Sequence, residues 1–132
     1  MALDKFVHDL IIKSKSFASV ATIMPDGSPQ VSVMWVDSDG ENILLNSAEG
    51  RVKTNNMRRD HRVAIAIVDS ENPYKPAMIR GHVVEETHDG AFEHTDILAK
   101  KYLGQDKYPY HQEGDVRVIF KVKPDSVYKI ET

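Results

Sequence analysis

The sequence predicts a mainly β domain with flanking helices, arranged as an antiparallel barrel. Two features of the pattern carry this. About seven short β-type runs follow one another, mostly through connections of hairpin length. They do not alternate with long helices, as a doubly wound α/β fold requires. Composition agrees: 132 residues, 41% hydrophobic and 28% charged, describe one globular domain spanning residues 1–132, long enough to bury a core without a staple. The absence of cysteine excludes a disulfide scaffold, thiol catalysis and Cys-ligated zinc.

Leu3, Phe6, Val7, Leu10 and Ile11 recur at spacings of three and four, so Leu3 to Ser14 reads as an amphipathic helix. Phe17 to Met24 is the first strand, closed by the turn Met24-Pro25-Asp26-Gly27. Gln30 to Asp37 follows, with Val31, Val33 and Trp35 on one face and Ser32, Met34 and Val36 on the other. A second turn at Ser38 to Glu41 leads into a strand from Ile43 to Asn46. Such short connections make these strands antiparallel neighbours. Ala48 to Asp60 is polar without a period of two and reads as a short surface helix capped by Asn46 or Ser47. Val63 to Val68 is apolar throughout, as a strand buried on both sides would be, and Asp69 and Asn72-Pro73 bound it. Ala77 to Glu85 alternates, and Gly81 in its middle marks a bulge or a close backbone approach. Ala91 to Leu103 is helical, with Gly104 as its stop. A polar, Tyr-rich loop from Gln105 to Asp115 precedes a strand from Val116 to Val122; Pro124 breaks it, and Val127 to Ile130 adds a last short one.

Seventeen basic against twenty acidic side chains leave a net charge of -3, which argues against a general nucleic-acid binder. No stretch approaches the ~20 apolar residues that span a bilayer. The beginning, Met1-Ala2-Leu3-Asp4-Lys5, has no basic region followed by an apolar run, so no secretory signal is expected and the cytoplasm is the default location. Charge is uneven, however. Arg51, Lys53, Arg58, Arg59 and Arg62 cluster around a single acid, Asp60. One reading is a solvated helix face. The other is a phosphate site, because Arg51 and Lys53 fall at a helix start, where N–H groups and dipole favour an anion and where cations oppose stability. The six histidines form no HxxxH or HExxH pair, so no metal site is expected. Trp35 is either core or site, and Tyr74, beside Pro73 and Pro76, is either a stacking residue or a surface aromatic. With no evident acid, base or nucleophile, a reaction here depends on a bound cofactor.

The runs Asn46-Ser47-Ala48-Glu49-Gly50-Arg51-Val52-Lys53, Asn56-Met57-Arg58-Arg59-Asp60 and Arg62-Val63 resemble the split β-barrel flavin-binding superfamily named after pyridoxamine 5′-phosphate oxidase. Ala21-Thr22, the hairpin Asp26 to Val31, Asn72-Pro73-Tyr74, Arg80-Gly81 and Val127-Tyr128 follow in the family's order, and the chain is most similar to its branch of deazaflavin (coenzyme F-420)-dependent enzymes. The resemblance implies an FMN-binding type of split barrel and a homodimer with two cofactor sites at the subunit interface. It implies that Arg51 and Lys53 hold the cofactor phosphate and that Gln30, Ser32, Val33, Met34 and Trp35 line the ring. Asn46, Ser47 and Ala48 would stand beside the ring and Tyr74 near the cofactor, a proton coming from solvent or from Tyr74. The spacing Gly50-Arg51-Val52-Lys53 favours coenzyme F-420, with FMN next. Two departures are visible: His61 stands where the family usually has proline, and the sequence ends soon after its last strand without a longer basic C-terminus, so vitamin B6 oxidation is not expected. The implied function is an oxidoreductase acting on a small organic substrate, with neither nucleic acid nor membrane as partner. The alternative is a non-catalytic FMN- or haem-binding protein.

Overall fold

The computed structural model describes residues 2–131; Met1 and Thr132, the ends of the expected domain, lie outside the described residues. Ten elements follow one another: α1 (Lys5–Lys13), β1 (Ser16–Ile23), β2 (Pro29–Met34), β3 (Asp37–Ser38), β4 (Ile43–Ala48), α2 (Val52–Arg59), β5 (Arg62–Asp69), β6 (Asn72–Thr87), α3 (Ala91–Leu103) and β7 (Arg117–Lys129). The strands form one seven-stranded sheet in the order β2-β1-β5-β6-β7-β4-β3, antiparallel throughout.

That order forces the sheet to curl. β2 and β3 lie at its opposite edges, yet only Trp35 and Val36 separate them in the chain. The step from Met34 to Asp37 spans at most about 11 Å, so the two edges must approach each other and the sheet closes into a split barrel. The expected single strand from Gln30 to Asp37 is therefore wrong: it is two strands on opposite edges, joined by Trp35 and the buried Val36. The interior is filled by Val20, Leu45, Ile65, Ile67, Ile79, Phe120 and Val122, with Val7 and Ile11 of α1 packed against them. Asp4 caps α1, its carboxylate accepting from Val7 N–H at 3.1 Å, so the helix starts at Lys5 rather than Leu3.

Other expectations change for identifiable reasons. β5 buries only Val63, Ile65 and Ile67, while Ala64 is exposed; its apolar run is one buried face alternating with small outward residues, not a strand buried on both sides. β7 runs unbroken through Pro124, which stands opposite Gly81 where the register with β6 shifts. A Cβ on Gly81 would lie 2.5 Å from the Lys123 carbonyl oxygen. Gly81 thus provides both the bulge and the close approach its position predicts, and the bulge is where a proline without an N–H fits a sheet. The turn before β6 is Ser70-Glu71, so Asn72-Pro73-Tyr74 belongs to the strand. α3 keeps its expected bounds, and Gly104 ends it in the left-handed conformation.

α2 differs in its start. Asn46, Ser47 and Ala48 extend β4, and neither Asn46 nor Ser47 caps the helix; Arg51 is the N-cap and makes no side-chain cap bond. Between them Gly50 has φ 89, a left-handed backbone that suits glycine, and so swings the chain from strand into helix. The helix is tied down by polar contacts: Thr54 Oγ1 donates to the Ala48 carbonyl at 2.7 Å and shares a hydrogen bond with Ser47 Oγ at 2.8 Å.

Candidate functional site

The start of α2, the chain leaving β2, the face of α3 and the Tyr-rich loop enclose a pocket of about 180 Å³. Trp35 forms one wall because it is pinned between strands, stacked on Tyr102 with ring centroids 4.9 Å apart and planes at 7°. Tyr108 meets its edge at 5.9 Å. Tyr102 is itself held by its hydroxyl, which donates to the Ser16 carbonyl and accepts from Val36 N–H. The wall is rigid.

The opposite wall is cationic. Arg51 and Lys53 enter from the start of α2 and Arg117 from the first position of β7. Arg117 is buried and Lys53 half-buried. Burial lowers the pKa of the Lys53 ammonium, and the charges of Arg51 and Arg117 push the same way. Burial likewise lowers Arg117 and Arg51 adds to the shift, while Tyr108 and the charge of Asp115 oppose it without cancelling it. Among the described residues none of these three cations makes an ion pair, although Arg58, Arg62, Lys121 and Lys129 all do. Like charges gathered in a half-buried pocket repel, and what relieves them is an anion.

Behind Arg117 lies a buried polar chain. Arg117 Nε–H donates to Asn46 Oδ1 at 2.8 Å. Asn46 Nδ2 donates to the Ala91 carbonyl at 2.8 Å and to His94 Nδ1 at 3.0 Å. His94 Nε2–H donates to Asp37 Oδ2 at 2.8 Å. Burial opposes the Asp37 charge, but the His94 contact and the Ser38 backbone N–H outweigh it, so its pKa falls below the ordinary carboxylate value.

The structure brings six of the expected residues to this pocket: Val33, Met34, Trp35, Asn46, Arg51 and Lys53. The others stand elsewhere. Ser47 is buried with its hydroxyl on Thr54, and Ala48 is buried with its carbonyl on the same side chain. Gln30 and Ser32 bond each other at 2.9 Å, and Gln30 also accepts from Thr22. Tyr74 is 80% exposed on β6 and does not line the pocket of its own chain. Arg117, Tyr108 and Tyr110 line the pocket without having been singled out from the sequence. The sequence carried no clear signal for Arg117, because alternation of Val116, Arg117 and Val118 is also what a half-exposed strand shows; its burial is seen only in the structure.

Sheet order and curl define a class, the split β-barrel. Within it the chain belongs to the pyridoxamine 5′-phosphate oxidase family, whose model matches residues 3–131. A solved structure named F420 reductase is 28% identical with a TM-score of 0.78, over 92% of this chain and 95% of that one. A putative pyridoxamine 5′-phosphate oxidase from Listeria innocua is 18% identical with a TM-score of 0.71, over 96% of this chain and 97% of that one. HutZ, a haem storage protein from Vibrio cholerae, is 15% identical with a TM-score of 0.65, over 98% of this chain and 95% of that one. The last two likenesses show the fold alone. Among the described residues no helix is long and apolar enough to cross a membrane, and no cluster of three or more His, Asp or Glu is placed to hold a metal.

Proposed function

We propose that this chain is an oxidoreductase of the cytoplasm that uses a flavin-type cofactor, coenzyme F-420 first and FMN next, to reduce or oxidise a small organic substrate. The observation that carries the reading is the gathering of Arg51, Lys53 and Arg117, none in an ion pair among the described residues, beside the stacked ring of Trp35. Arg51 and Lys53 would hold the cofactor phosphate, and the free N–H groups of the first turn of α2 add donors. The bound cofactor supplies the hydride or electron transfer itself. Trp35 and Met34 orient the ring system from one side, and Tyr108 shields the pocket from water. The preference for F-420 rests on the Gly50 to Lys53 spacing and on the 28% identity to a protein named F420 reductase.

A homodimer completes this site. The pocket's volume of about 180 Å³ falls below the ~300–1,000 Å³ that a whole small-molecule ligand occupies, so one chain takes the anionic end and a second surface takes the rest. The outward face of β1, β2, β5 and β6 suits a second copy. Val31 and Val33 are 64% and 68% exposed there, and cross-strand neighbours Ala21, Ala64 and Ala66 keep its centre shallow. Apolar surface of this kind marks an interaction site. Tyr74 reaches a cofactor only across such an interface, and otherwise solvent supplies the proton.

The test is a titration of F-420 and FMN side by side, read through Trp35, the single tryptophan. Saturable quenching, tighter for F-420, is the expected result. No quenching by either compound at saturating concentration removes the reading, and a Soret band in the purified protein turns it toward a non-catalytic haem binder. Sedimentation is expected to give a dimer; a 14.9 kDa monomer with cofactor bound defeats the shared site.

A further inference from the structure

We infer that Arg117 is a third ligand of the anionic group in this pocket and that the buried chain Asp37–His94–Asn46 is the device that aims it. The inference rests on the phosphate reading above, gives Asn46 a different task from the one the family resemblance implies, and adds Arg117, His94 and Asp37, which neither that resemblance nor the helix-start motif supplied.

A carboxylate can only accept, so the short contact between Asp37 Oδ2 and His94 Nε2 requires the proton to be on Nε2. Arg117 Nε can only donate and the Ala91 carbonyl can only accept, so the Asn46 amide between them presents Nδ2 to His94, whose Nδ1 is the acceptor. Two acceptors, His94 Nδ1 and the Ala91 carbonyl, therefore face the side-chain end of Asn46 where Nδ2 lies. They decide the amide's orientation, because a flipped amide would set its oxygen against both. With Nδ2 committed, Oδ1 points to β7, where it accepts from Arg117 Nε at 2.8 Å. The Asn46 backbone carbonyl accepts more weakly from Nη2 at 3.4 Å. Nη1 has no hydrogen-bond partner among the described residues. The guanidinium lies 5.7 Å from the Tyr108 ring centre and lines the pocket. Its fork is anchored on Asn46 through Nε and Nη2, and Nη1 is left as a donor in the pocket that Arg51 and Lys53 also line, as an oxyanion requires.

Asp37, His94 and Asn46, on three different elements, thus agree on one orientation of one cation. A buried arginine kept for structure is normally neutralised by a carboxylate. Here the hydrogen-bonded carboxylate is three links away and acts on the histidine, and Asp115 acts on Arg117 through charge alone without an ion pair, so the guanidinium keeps a donor for a ligand.

Inorganic phosphate is the probe, with Trp35 fluorescence as the readout and melting of the apo protein beside it. Arg117→Gln keeps a donor for Asn46 and removes the charge; it is expected to weaken phosphate binding about 10-fold or more. His94→Leu is expected to weaken binding several-fold when Arg117 is present and to have no further effect in the Arg117→Gln background, because it acts only through that guanidinium. His94→Asn, whose amide oxygen can sit near the Nδ1 position, is expected to recover part of the lost affinity even if apo melting stays lowered. Arg51→Ala is the control for the underlying reading. Full affinity in Arg117→Gln together with loss in Arg51→Ala overturns the third-ligand inference and leaves the phosphate site intact. A His94→Leu loss that persists undiminished in the Arg117→Gln background reduces His94 to packing. Unchanged binding in Arg51→Ala, Lys53→Ala and Arg117→Gln alike removes the phosphate reading itself.

Discussion

Arg58 and Arg59, in the last turn of α2, are paired in the folded chain, whereas Arg51 and Lys53, at its start, are not. Arg58 donates to Glu49 at 2.8 and 2.9 Å and to Glu86 at 3.1 Å. Arg59 donates to the Ile23 carbonyl and to Asn56 Oδ1, both at 2.7 Å, and Arg62 just beyond the helix pairs with Asp60. At the start, the cations face a third one, Arg117, and among the described residues none of the three forms an ion pair; Asp115 acts on Arg117 through its charge alone. The helix dipole separates the two ends the same way: cations stabilise the C-terminal turn and oppose the N-terminal one by ~0.3–1 kcal/mol each. Five basic side chains that look like one cluster in the sequence are therefore two groups. One group supports the fold; the other costs it something and has to be explained by a ligand.

The largest expected effect separates these groups directly. Arg51→Ala and Lys53→Ala should each weaken cofactor binding by roughly 10- to 150-fold, the equivalent of ~1.5–3 kcal/mol for a charge-assisted bond. Arg58→Ala and Arg59→Ala should change it far less in the same titration. Equal losses in all four would merge the two ends into one diffuse basic surface.

Thr54→Val comes next. It strips the bonds that tie the start of α2 to Ala48 and Ser47, both buried. Leaving those groups unpaired should cost ~1–3 kcal/mol, seen as a lower urea midpoint, and it should loosen cofactor binding as well because the helix start shifts. A stability loss with unaltered affinity would show that the position of Arg51 does not depend on this tie.

A smaller effect concerns the paired end and acid. Hydrogen bonds from Arg58, then from His88, hold Glu49 at a pKa of about 2, below its ordinary 4.5. A carboxylate depressed in this way contributes stability above pH 4.5, and the contribution is lost as pH falls from 4.5 toward 2. The contacts are largely solvated, so each pair should contribute no more than ~1 kcal/mol. Glu49→Gln should thus be less stable than the parent at pH 7, and the two should converge by pH 2. A constant difference across that window would show that Glu49 acts through packing alone. The smallest effect is the reverse one. In apo protein at low salt, Arg51→Ala should raise stability by a few tenths of a kcal/mol, the sign expected for a cation facing a helix N-terminus. A decrease would mean that Arg51 has a structural partner.

Much of the fold and part of the site were legible in the residues. The turn Met24 to Gly27 and the helix Ala91 to Leu103 with its Gly104 stop depend on neighbours within a few positions, and they appear where the pattern puts them. So does the kink at Gly81, and so does the placement of Arg51 and Lys53 at a helix start. Periodicity could not tell that the apolar run of β5 turns its alanines outward, because Val-Ala-Ile-Ala-Ile-Val has no polar face to mark. Nor could it show that Pro124 passes through β7 without breaking it, since that depends on Gly81 standing opposite.

By itself, then, the sequence determined the local elements and the helix-start cations, since dihedral preferences, side-chain period and caps act over a few residues. That Trp35 and Val36 join opposite edges of the sheet, and that Asn46 meets Arg117 across a separation of 71 residues, is a property of the assembled sheet. Those juxtapositions follow from strand order and curl, which arise when the whole apolar face is buried at once and leave no period in the chain to read.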